Sequence, residues 1–141
     1  MRSFPIAALA LSVAAAVAQA QAPRQGARPA PPDHWMTIDS LAEAVGLTEA
    51  QRPEFVKHYD ALNGVMKKAA DERRKLREES GGGMPSREAA QTLRSKLEFM
   101  QTDLDKHYHE LRKLLSEDQH ERFDALGKPR VMVMGGRRPG G

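Results

Sequence analysis

The chain of 141 residues contains no cysteine. Disulfides and thiolate metal sites are therefore excluded. Aromatic residues are scarce, at 5%, so a core must be built from Leu, Ala, Met and a few rings. The apolar stretch from Ile6 to Val17 falls short of the roughly 20 residues a spanning helix needs, so the chain is not expected to span a membrane. No nucleotide loop, glycine-rich phosphate cradle or nucleophile–base constellation is present. These absences read against an enzyme and against any cofactor.

A concentrated positive field is missing as well. The formal net charge is +3, yet residues 39–126 carry 15 Lys and Arg against 18 Asp and Glu, a net of −3. The excess lies in the flanks, at Arg2, Arg24, Arg28, Lys128, Arg130, Arg137 and Arg138. No nucleic-acid partner is expected from this distribution. Basic flanks suit loose attraction to an anionic surface or to acidic clients.

What the chain does contain starts with a leader. Arg2, the apolar stretch and the small-x-small triplet Ala18-Gln19-Ala20 make residues 1–20 a secretory signal peptide, with cleavage after Ala20. An exported protein is expected. Residues 21–37, rich in Pro, Ala, Gln and Arg, read as a flexible linker. Residues 38–127 form the helical domain. Residues 128–141 read as a disordered basic Gly/Arg-rich tail, interrupted by the apolar island Val131-Met132-Val133-Met134.

Within the domain a short helix is expected over 39–45, stopped by Gly46. A long helix follows to about Glu79, with the apolar stripe Phe55, Tyr59, Leu62, Met66, Ala69 and Leu76. Arg73 interrupts that stripe. Pro53 falls at about the fifth helical position, where a missing N–H should disturb the first turn. Residues 80–85 break the helix, and Ser86 caps a second long helix with the stripe Leu93, Leu97, Met100, Leu104, His107 or Tyr108, Leu111 and Leu114. A last short helix runs from Ser116 to Leu126. The short connection makes the two long helices antiparallel neighbours. The fold class is all-α: a long antiparallel helical hairpin with short helices at each end. So thin a core invites a second copy to cover it, and a homodimer is expected.

One motif occurs twice. Leu47-Thr48-Glu49-Ala50-Gln51 leads to Phe55, and Leu115-Ser116-Glu117-Asp118-Gln119 leads to Phe123. Each copy is a capping box: the hydroxyl of Thr48 or Ser116 accepts from the N3 amide, and Gln51 or Gln119 reaches back to the cap residue's N–H. Glu49 and Glu117 favour the positive end of the helix dipole. On this reading the motif anchors the frame, and replacing Thr48, Gln51, Ser116 or Gln119 by Ala should cost about 1 kcal/mol each.

With both copies bracketing a helical pair behind an export signal, residues 38–126 resemble the LTxxQ family of bacterial periplasmic proteins, the Spy/CpxP-type stress chaperones. The second copy departs from that pattern only by Ser116 for Thr, which caps equally well. The resemblance implies a cradle-shaped antiparallel homodimer in the periplasm. It further implies ATP-independent binding of unfolded or aggregation-prone envelope proteins. Relatives that bind metal or restrain an envelope sensor kinase imply the alternative, a Zn- or Cu-binding accessory protein.

For client binding, the candidates are the adaptable side chains Met66, Met84 and Met100 and the cations Lys67, Lys68, Arg73 and Arg74. Core filling is the simpler account of Met66 and Met100, and a solvated helix face that of the cations. No metal site is expected. His58, His107 and His109 are weak candidates, because rings at i and i+2 diverge on a helix and no H-x-x-x-H spacing occurs.

Overall fold

A computed structural model describes residues 30–132. Residues 1–29, which hold the expected signal peptide and part of the expected linker, and residues 133–141 lie outside the described residues. Four helices and no strand are present among the described residues: α1 (Ile38–Val45), α2 (Arg52–Glu79), α3 (Arg87–Lys113) and α4 (Glu117–Ala125). No helix among them is long and apolar enough to cross a membrane.

The local reasons for these boundaries are legible one by one. Thr37 caps α1, its hydroxyl accepting from the Ser40 N–H at 3.3 Å. Gly46, at φ +75°, ends α1 in the left-handed conformation that glycine adopts without steric cost. The Ser86 hydroxyl accepts from Ala89 N–H at 3.1 Å and opens α3. α2 begins later than the sequence suggests. Thr48 to Gln51 form a separate turn, with the Gln51 and Arg52 amides both donating to the Thr48 carbonyl at 3.1 Å. The helix proper starts at Arg52, which places Pro53 in its first turn. There a missing N–H leaves no helical bond unmade, so the expected disturbance does not arise.

α2 and α3 are 28 and 27 residues long, about 40 Å each, and pack against one another. His58 meets His107 near one end, and Lys96 Nζ meets Glu72 at 2.8 Å toward the other. The stripe residues Leu62, Met66, Ala69, Leu104 and Leu111 are wholly buried between them, with Leu97 nearly so. At the ambiguous stripe position it is Tyr108 that turns inward. α1 packs on α4, adding Leu41, Val45 and Phe123 to the same core.

Two expected flexible segments are ordered where described. Of the expected linker, Trp35 is buried, its backbone N–H donating to Asn63 Oδ1 at 2.7 Å. The Tyr59 hydroxyl donates to the Met36 carbonyl at 2.8 Å. Of the expected disordered tail, Val131 is wholly buried and its N–H donates to Gln101 Oε1 at 2.9 Å. Arg73 explains both corrections. Its guanidinium donates to the Val131 carbonyl and to the Pro31 carbonyl at 3.5 Å. The cation that interrupts the α2 stripe thus ties down the segments before α1 and after α4. Burial, with Arg77 nearby, lowers the Arg73 pKa.

Trp35 is the chain's single tryptophan, so its emission reports this tie. We expect blue-shifted emission in the native protein that moves to the red cooperatively with loss of far-UV circular dichroism. Trp35→Ala should cost about 3 kcal/mol in urea unfolding, as for large aromatic truncations in cores. Solvent-like emission from the native chain would contradict the burial.

Candidate functional site

The two motif copies meet. Each carboxamide oxygen first completes its own capping box: Gln51 Oε1 accepts from Thr48 N–H at 3.0 Å and Gln119 Oε1 from Ser116 N–H at 2.9 Å. The two amides then bond to each other reciprocally. Gln51 Nε2 donates to Gln119 Oε1 at 2.8 Å, and Gln119 Nε2 donates to Gln51 Oε1 at 3.0 Å. The remaining N–H of Gln51 goes to the Leu114 carbonyl at 3.0 Å, and that of Gln119 to the Gly46 carbonyl at 2.7 Å. Each glutamine thereby donates to the carbonyl five residues before its counterpart. Both side chains use two donors and two acceptors, the full capacity of a carboxamide. Gln119 is the one buried polar residue among the described residues, and its burial is tolerable because every lone pair and proton has a partner.

Aromatic rings continue the junction. Phe55 and Phe123, each four residues beyond its glutamine, meet edge to face with centroids 6.3 Å apart. Phe123 also stacks on Tyr108 at 4.7 Å and takes Trp35 edge-on at 5.7 Å. Burial raises the Tyr108 pKa, with Asp124 adding to the effect. Outside the rings, Arg112 forks onto Asp124, Nε to Oδ1 and Nη2 to Oδ2 at 3.0 Å each, binding the end of α3 to α4. Those hydrogen bonds hold the Asp124 carboxyl below its ordinary range.

The structure thus brings together Thr48, Gln51, Ser116 and Gln119, with Leu115 buried and Leu47 half-buried beside them. The expected client-binding residues are scattered. Met66 is wholly buried, which removes it from any surface of the described chain. Met100 is partly buried against the core, and Arg73 is engaged with the Pro31 and Val131 carbonyls. Lys67, Lys68 and Arg74 are exposed, and Met84 is 96% exposed. Phe99, absent from the sequence reading, is 78% exposed on α3. Its signal was its phase: it stands outside the Leu93, Leu97, Met100, Leu104 stripe.

Of the histidines, His58 on α2 and His107 on α3 have ring centroids 6.1 Å apart. His107 Nδ1 is buried without a hydrogen-bond partner. His109 points elsewhere, against Tyr108 at 6.3 Å. Among the described residues no three His, Asp or Glu side chains are grouped as a metal site.

A capped turn before α2 and a capped start of α4, locked through paired glutamines, with exposed apolar groups on α3 and in the connection before it, define an all-α protein organised by its repeated motif. The family model of the LTXXQ motif family protein matches residues 35–127, and the chain belongs to that family. Comparison with curated proteins and with solved structures yields no match.

The junction predicts coupling between the motif copies. Gln119→Ala should destabilise the protein by about 2–3 kcal/mol, more than a cap alone, because it orphans buried partners. Gln51→Ala and Gln119→Ala together should cost at least about 1 kcal/mol less than their sum in denaturant unfolding. Additive losses would mean that the pair contributes nothing jointly.

Proposed function

We propose that this protein is a periplasmic, ATP-independent chaperone that binds unfolded or aggregation-prone envelope proteins during stress. On this reading α2 and α3 form an antiparallel hairpin, and two copies associate into a cradle-like homodimer. The observation that carries it is the exposure of Phe99 and Met84, the large apolar side chains left in solvent among the described residues. Isolated apolar groups among charges suit weak contact with unfolded segments, and Met84 adds an adaptable side chain. Exposed Lys67, Lys68 and Arg74 supply charge for encounter with acidic clients. Family membership supports the same reading, since the chain's motif and helical class agree with Spy/CpxP-like proteins.

The test is suppression of aggregation of a reduced, unfolded client. We expect suppression near stoichiometric protein without nucleotide. Phe99→Ser should weaken it several-fold at unchanged melting temperature. No suppression by the native chain overturns the chaperone reading.

A second reading, a metal-responsive accessory of an envelope sensor kinase, draws on the facing His58 and His107 rings and the unpartnered His107 Nδ1. It requires further ligands from a second copy or a partner. Calorimetric titration with Zn²⁺ and Cu⁺ decides it: this reading expects micromolar or tighter binding that is lost in His107→Ala, and fails without it.

A further inference from the structure

Residues 128–132 leave α4 through Gly127 and lie across α2 and α3. Both backbone polar groups of Val131 are held by side chains of the long helices: its N–H donates to Gln101 on α3 at 2.9 Å, and its carbonyl accepts from Arg73 on α2. The Val131 side chain is wholly buried, and Pro129 is buried beside it. Gln101 is itself set by a bond from its Nε2 to Asp105 Oδ1 at 2.8 Å. Asp105 also takes Lys128 Nζ at 3.0 Å. A cation at a stripe position of α2 is costly unless backbone carbonyls receive it. Here Val131 is one of them.

Such a seat has the properties of a site for a short stretch of polypeptide, here one that bends at Val131 and Met132. Main-chain groups are bonded irrespective of sequence, and a pocket takes one aliphatic side chain. The segment in it is short. The buried side chains of Val131 and Pro129, two backbone bonds and the Lys128–Asp105 ion pair are among the contacts that offset the ordering of five residues. Its advantage over a free peptide is mainly its tether.

We propose that the seat formed by Arg73, Gln101 and Asp105 binds short aliphatic segments of unfolded clients, and that residues 128–132 are its built-in, displaceable occupant. This rests on the chaperone reading and gives it a second contact besides Phe99 and Met84. The tail then acts as a competitor that closes the seat until a client displaces it.

The test uses the full chain and a labelled hexapeptide of residues 127–132. Val131→Asp should expel the tail, so the peptide should bind that variant at least tenfold more tightly than the native chain. Adding Gln101→Leu should abolish the gain. Equal peptide binding to the native and the folded Val131→Asp chains overturns the proposal. If Val131→Asp does not fold, hydrogen exchange of the native chain decides. The Val131 amide should exchange at least fivefold faster with bound unfolded client, and unchanged protection overturns the proposal. Aggregation suppression with a protected Val131 amide would sink this site and leave the chaperone reading standing. Peptide binding without suppression would do the reverse.

Discussion

The reciprocal bond between Gln51 and Gln119 is the contact on which the arrangement of helices depends. Four backbone groups from distant parts of the chain end on these two carboxamides: the amides of Thr48 and Ser116 and the carbonyls of Gly46 and Leu114. All four lie at helix termini or beside them, where backbone groups have no helical partner. Supplying them from side chains fixes where α1 ends, where the chain enters α2, where α3 ends and where α4 begins. The aromatic contacts of Phe55, Phe123, Tyr108 and Trp35 are then in register because the termini are.

This also accounts for glutamine at both positions. A capping box accepts Glu equally well, and the helix dipole would favour it. A carboxylate, however, has no N–H for the Gly46 or Leu114 carbonyl, and two carboxylates in this contact would repel each other. The amide forgoes the dipole term and gains two donors on each side. The repeat in the sequence is therefore the trace of a local pseudo-two-fold contact.

Much of the frame was legible from the sequence because its causes are local. Apolar spacing marked α2 and α3, Gly46 marked the end of α1, and Ser86 and Ser116 marked helix starts. The meeting of Gln51 with Gln119 was not, since it joins residues 68 apart and the capping box already explained half of each side chain. The sign was the unused NH₂ in both copies. Trp35 and Val131 were hidden differently: each lies in a stretch whose Pro, Gly and Arg content reads as unfolded, although a lone Trp and an aliphatic pair are costly to leave in water. Arg73 was the clue to both, a cation set where the α2 stripe called for an apolar side chain.

Arg73 and the glutamines satisfy backbone groups by the same chemistry but with opposite consequences. At the motif junction both bonding partners belong to the folded frame, the amides are reciprocal, and Gln119 is sealed from water, so opening any one bond orphans others. At Arg73 and Gln101 the partner is a short extension that can leave without disturbing a helix terminus. When it leaves, Arg73 and Gln101 regain solvent and their bonds are replaced by water. Rigidity is thus concentrated where α1, α4, the start of α2 and the end of α3 join, and exchangeability lies farther along α2 and α3. On the proposed chaperone reading the frame holds its shape while its surface changes partners, which needs that separation, and a single motif used twice is enough to secure the fixed end.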